Sequence, residues 1–182
     1  MTTYVVLLRG INVGKNRKLP MAELRTICVD AGCADVRTYI QSGNVVLRSA
    51  QKAPALVAEL ERRIRAHTGF DVPIVVRTVD ELESVVARCP FDTSVDPTTL
   101  VVAFSQQRPP RGALRDLHAG AFGDEQFVLD GRDLYLSLPG GQGRSKLAAA
   151  VARTRTGAVA TVRNWKSVEA LLALAQATTS GR

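Results

Sequence analysis

The sequence predicts an α+β fold made of two successive β-α-β-β-α-β units, each trailed by one further helix. Three observations carry this. The 182 residues are 46% hydrophobic and 23% charged, close to the globular averages of roughly 45–50% and about 25%, and the chain is long enough for a sizeable apolar core. Short β-branched runs alternate with segments of helical period. The same order of elements occurs twice, on either side of a break at Cys89-Pro90 and Asp96-Pro97.

The first strand is the apolar run Thr3 to Leu8, ended by Arg9-Gly10. After a basic loop reaching Pro20, Leu24, Ile27, Cys28 and Ala31 recur at i, i+3, i+4, i+7 and mark an amphipathic helix that stops at Gly32. Val36 to Ile40 and Val45 to Leu47 flank Gln41-Ser42-Gly43-Asn44, a hairpin composition. Leu56, Val57, Leu60 and Ile64 give a second helix that ends near Gly69; Val72 to Arg77 is the fourth strand and 79–89 a short extra helix.

Beyond the break the pattern returns. Leu100 to Phe104 reads as a strand, and the stretch after Pro109-Pro110 with Leu114 and Leu117 as a helix. Gln126 to Leu129 and Leu134 to Leu138 flank Asp130-Gly131-Arg132-Asp133, a strong hairpin signal. Ser145 to Arg155 is a helix, Ala158 to Val162 a strand, and Asn164 to Ala175 a closing helix. The order is that of the split βαβ, or ferredoxin-like, arrangement. It predicts two ferredoxin-like subdomains, 1–90 and 97–178, in one compact unit. Strands one and three are expected as parallel neighbours, with the loops leaving them on one edge and the strand 2–3 turn on the opposite edge.

Several function classes are not supported. No apolar run approaches the ~18 residues of a membrane span, and Met1-Thr2-Thr3-Tyr4 lacks the basic region of a signal peptide, so a cytoplasmic protein is expected. Cys28, Cys33 and Cys89 make no complete disulfide set, and the C-x4-C spacing is looser than zinc pairs usually are; reduced, mostly buried thiols are expected. His67 and His118 stand apart from the cysteines, so neither a metal nor a cofactor is expected. G-x-S-x-G, H-E-x-x-H and C-x-x-C are all absent, and no catalytic residue is legible.

Charge is more informative. Of the net +7, residues 1–22 hold +4 and residues 132–182 hold +6, which leaves the middle at −3. Excess positive charge at two places draws anions, although a generally basic surface is the plainer reading. Arg9, Gly10, Asn12, Gly14, Lys15, Arg17 and Lys18 lie in a loop whose glycines let backbone amides face a ligand. It is not a P-loop, because the glycine spacing is one residue short and Asn16 stands where a hydroxyl is needed. On what is expected to be the matching edge, Pro139 to Gly143 leads into Arg144, Ser145 and Lys146 at a helix N-terminus, a ready anion site that combines unpaired amides with the positive end of the helix dipole. Gln41, Ser42 and Asn44, and Arg163, Asn164 and Trp165, are secondary candidates. Trp165 is either a stacking platform for a base or, more commonly, a packing anchor.

The blocks Leu7-Leu8-Arg9-Gly10-Ile11-Asn12-Val13-Gly14, Pro20-Met21-Ala22-Glu23-Leu24, Tyr39-Ile40-Gln41-Ser42-Gly43-Asn44-Val45, Arg144-Ser145-Lys146-Leu147 and Thr161-Val162-Arg163-Asn164-Trp165 resemble those of the bacterial proteins grouped as domain of unknown function 1697. The resemblance spans nearly the whole chain. It implies two ferredoxin-like subdomains and assigns no activity. The expected function is non-catalytic binding of a phosphate-bearing partner, a nucleotide or nucleic acid, through the basic Gly-rich loops. The third strand lacks the aromatics with which an RNA-binding sheet stacks bases, so recognition would run through loops. The alternatives are an enzyme acting on a small anionic substrate in a cleft between the subdomains, and a protein-interaction module.

Overall fold

A computed structural model describes residues 1–14, 17–110, 112–115, 117, 121–154 and 160–181. Lys15, Asn16, His118, Arg155 and Ala158, all of them named above, lie outside the described residues. The described chain is mixed α+β, with two four-stranded antiparallel sheets and five α-helices. It divides into two units, one of Met1–Ser84 with Ala170–Arg182 and one of Val85–Glu169. No helix is long and apolar enough to cross a membrane among the described residues.

In the first unit β1 (Thr2–Leu8), β2 (Ala34–Tyr39), β3 (Asn44–Ser49) and β4 (Ile74–Thr78) form a sheet of order β2-β3-β1-β4. The central strands are continuous apolar runs because both of their faces are buried: Val5 and Leu7 on one face, and Tyr4, Val6 and Leu8 on the other, are all 5% exposed or less. Onto the second of these faces pack α1 (Met21–Asp30), through Leu24, Ile27 and Cys28, and α2 (Ala53–Thr68), through Leu56, Leu60 and Ile64. The helix α2 stops at Gly69, which takes the left-handed conformation (φ 77) and returns its N–H to the Arg65 carbonyl. The helix α3 (Val79–Ala87) starts on a reciprocal cap: the Thr78 N–H donates to Glu81, and the Glu81 N–H donates to the Thr78 hydroxyl.

One expectation is overturned here. The strands β1 and β3 are antiparallel, with Leu7 opposite Asn44 and Thr2 opposite Ser49. The end of β1 therefore lies beside the start of β3, and the loop leaving β1 shares its edge with the β2–β3 turn rather than facing the opposite one. The reason is geometric: α1 carries the chain past one strand position, β2 takes the outer place, and the hairpin returns β3 into the gap reversed.

In the second unit β5 (Leu100–Ser105), β6 (Gln126–Asp130), β7 (Asp133–Ser137) and β8 (Ala160–Asn164) repeat the order as β6-β7-β5-β8, again with antiparallel neighbours. Positions match closely: Val5 faces Arg77 in one sheet and Val102 faces Arg163 in the other, both arginines being buried. The helix expected after Pro109-Pro110 is absent from the described residues. Gly112 sits at φ +81, outside the helical region, and single turns close from Ala113 to Pro110, Arg115 to Gly112 and Leu117 to Leu114. Spacing of i, i+3 suits successive turns as well as a helix, and Leu114 and Leu117 still pack on the core of Val101, Ala103, Leu134 and Leu136. The helices α4 (Lys146–Arg153) and α5 (Trp165–Thr179) complete the described elements.

Candidate functional site

Residues 9–14 and 17–19 and the turn 40–43 lie at one edge of the first sheet. Asn12, at φ 55, is the clamp. Its amide donates to the Leu19 carbonyl at 2.9 Å and to the Gln41 carbonyl at 2.8 Å, and its Oδ1 accepts from the Leu19 N–H at 2.9 Å. Gly43 lets the turn close against the loop: at φ +80, a Cβ there would lie 2.8 Å from Ile11 and Leu8, while its carbonyl accepts the Leu8 N–H at 2.8 Å. Arg17 folds back. Its Nε donates to the Gly10 carbonyl, another of its nitrogens donates to the Asp71 carbonyl, and its guanidinium lies 4.7 Å over the Phe70 ring. These partners are all neutral, so Arg17 keeps its charge while serving as a staple.

Arg9 and Lys18 are different. Both are exposed, and neither side chain makes a hydrogen bond or ion pair among the described residues. The backbone N–H of Arg9 donates to the Pro73 carbonyl at 2.9 Å. Gly10 and Gly14 hold φ 69 and φ 67. Two free cations thus stand on a loop whose shape is fixed by neighbours of its own.

The Pro139 to Lys146 segment lies at the other kind of edge, where β7 ends and β5 begins. Leu138 donates to the Thr99 carbonyl at 2.7 Å, and Trp165 to the Pro97 carbonyl at 3.1 Å. By the same antiparallel geometry, the end of β8 falls on this edge and not opposite it. Arg144 and Lys146 are exposed. The helix N-terminus between them is already filled: the Leu147 N–H donates to Glu125 Oε2 at 2.9 Å, and the Ala148 N–H donates to the buried Ser145 hydroxyl at 2.8 Å. A cleft of about 370 Å³ is lined there by Asp124 and Glu125 as well as Arg144 and Lys146. Carboxylate and cation balance.

The secondary candidates serve the fold locally. Asn44 is fully buried and donates to the Tyr39 carbonyl and the Ser42 hydroxyl. Arg163 is buried, bonded to Thr161 and to the Val162 carbonyl, and burial lowers its guanidinium to about 10. Asn164 Oδ1 accepts the Ser167 N–H at the start of α5. Trp165 is 1% exposed and donates to Glu169 at 3.0 Å, which leaves its ring no open face for a base. The side chains of Gln41 and Ser42 are exposed beside the Asn12 clamp.

Sequence reasoning missed Glu125, Phe70 and a cavity of about 620 Å³ in the first unit, lined among others by Thr3, Arg48, Thr78, Asp80, Glu83 and Gln176. Local patterns give no signal for contacts between residues so far apart in the chain. The Glu125 signal was available only as an acid with no nearby base. Burial pushes the Cys28 thiol up to about 12 and raises Cys33 and Cys89 as well; all three are free thiols. His67 pairs with Glu23 at 2.8 Å. Among the described residues no group of three or more His, Cys, Asp or Glu could hold a metal ion.

Two antiparallel sheets of the same strand order, one of them edged by a clamped basic loop, define a two-unit α+β protein. The chain belongs to the family described as protein of unknown function DUF1697, whose model matches residues 1–135. That span holds the Arg9–Gly14 and Tyr39–Val45 blocks, whereas the Arg144 and Trp165 blocks lie beyond it. A conserved bacterial protein from Streptococcus pneumoniae is similar in structure, with a TM-score of 0.80 over 96% of this chain and 98% of that one. At 22% identity the likeness concerns the fold alone. No curated protein matches the chain significantly.

Proposed function

We propose that this is a cytoplasmic, non-catalytic protein that binds a phosphate-bearing ligand on the loop edge of its first unit. One observation carries the reading: Arg9 and Lys18 are exposed with no anionic partner among the described residues, on a loop that Asn12 and Arg17 hold in shape. A cation that no internal carboxylate has neutralised keeps its full attraction for an external one, and a pre-shaped loop loses little entropy on binding. The N–H groups of Gly10 and Gly14 make no hydrogen bond among the described residues and add neutral donors of the kind that cradle phosphate. The Gly-rich segment before α4 takes a lesser part, because Glu125 already occupies the amides that would receive an anion. The strand order with antiparallel neighbours supports ferredoxin-like topology for the first unit, where both connecting helices are present.

The test is calorimetric titration of the whole protein with ATP, pyrophosphate and short oligonucleotides, beside the Arg9→Ala/Lys18→Ala double variant. Binding of at least one phosphate probe, weakened tenfold or more by the double substitution, is expected. Equal affinity in the two proteins would overturn the assignment of the site.

A further inference from the structure

We infer that the ligand of this edge is a single-stranded nucleic acid, held through its phosphates, with Ile40 and Val13 as its apolar contact. The inference rests on the phosphate-binding reading above and narrows it. Ile40 sits at φ 48. For a β-branched residue that is a true outlier, of the kind that costs on the order of 1–3 kcal/mol. Burial does not offset the cost, since Ile40 is 52% exposed. Asparagine or glycine would suit the turn better and expose no apolar surface. A strained, exposed isoleucine points to a use outside the chain.

Its placement says which use. The Asn12 to Gln41 hydrogen bond joins the two loops, and the residues just beyond it on either side are Ile40 and Val13, the latter 71% exposed. Two aliphatic side chains thus flank the clamp on the edge that carries Arg9, Arg17 and Lys18. Residues 9–19 and 40–43 contain no acid. Asp71, whose carbonyl accepts from Arg17, has its own carboxylate paired with Arg65 at 2.7 Å. Cations and aliphatics without a carboxylate complement a polymer of alternating phosphates and apolar sugar and base faces.

Openness separates the polymer from a mononucleotide. Arg9, Val13, Lys18, Ile40, Gln41 and Ser42 are all exposed, so the edge offers its cations and aliphatics on an open surface. Small ligands need enclosure to bury most of their surface, whereas a strand lying across an open basic surface gains by repetition. Phe70 is covered by Arg17 and is not offered to a base, so binding runs through the backbone with little preference for sequence.

Fluorescence anisotropy of labelled 12-mers of oligo(U) and oligo(dT) on the whole protein tests this. Binding is expected, with log K falling against log salt at a slope of about −2, from roughly 0.7 per phosphate neutralised by the three cations. Arg9→Glu/Lys18→Glu should weaken it at least tenfold. Ile40→Gly should raise the thermal midpoint yet weaken the oligonucleotide at least threefold, and Ile40→Asn, which also tolerates positive φ, should do the same. Unchanged affinity in both Ile40 variants overturns the apolar contact. If ATP or pyrophosphate binds as tightly as the 12-mers, the polymer is wrong while the phosphate reading stands; if no phosphate probe binds, both fall. Equal affinity for polyglutamate would replace the nucleic acid with an acidic protein segment.

Discussion

The loop edge of the first unit and the Gly-rich segment before α4 share a composition and differ in what is left unused. Each has glycines, two or more cations and a polar side chain bonded to the backbone. On the loop edge, the internal partners are carbonyls and an aromatic ring, which fix shape without consuming charge. Before α4, a carboxylate from just ahead of β6 takes the helix N-terminus. Basic composition by itself therefore does not make an anion site. What matters is which donors remain after the chain has satisfied its own acceptors.

The largest way to break this comparison is Gly43→Ala. The left-handed backbone and the 2.8 Å approach to Ile11 and Leu8 should together cost about 3 kcal/mol, read as a fall in the urea midpoint, and the substitution should abolish phosphate binding with it. Binding that survives would mean the loop needs no turn behind it. Next is Asn12→Ala, which removes three hydrogen bonds and should cost about 2–3 kcal/mol. Its hydrogen exchange should quicken at Leu19, where the N–H loses its acceptor.

Cys28 gives the first unit a pH dependence. Cys28 is buried on α1, and its thiol is raised to about 12, against about 8.5 in an unfolded chain. Its contribution is thus fully present below about pH 8.5 and is lost as pH rises toward 12, because only the unfolded state gives up the proton. At pH 10 the loss should reach about 2 kcal/mol. Chemical denaturation at pH 7 and pH 10 should show a smaller decline in Cys28→Ala than in the parent protein.

The smallest effects sharpen the picture of the Gly-rich segment. Glu125→Gln weakens the carboxylate cap of α4 and should cost about 1 kcal/mol. It should also gain weak sulfate binding near Arg144, detected by a salt-specific rise in thermal midpoint. No gain would show that the helix N-terminus was never the limiting feature there.

Much was legible from residues in sequence. The strand runs, the two hairpins and the helices that end at Gly32 and Gly69 follow from local period and turn chemistry, which act over a few neighbours. The single turns after Pro109-Pro110 escaped because Leu114 and Leu117 satisfy two geometries at once. Arg9 and Lys18 could be named as cations, but not as free ones; Asn12, Arg17 and Ser145 could be named as polar, but not as clamp, staple and cap. Trp165 could be read as anchor or platform until its burial decided.

By itself the sequence determined the element order, the duplicated pattern and the places where positive charge gathers, since these depend on propensity and composition along the chain. Only the tertiary structure decided that β1 and β3 run antiparallel. With that pairing, the 9–19 loop meets the 40–43 turn, and in the other unit Glu125 meets the α4 N-terminus. Those outcomes rest on pairings between residues tens of positions apart, whose register is set by the packing of whole faces and not by any one segment.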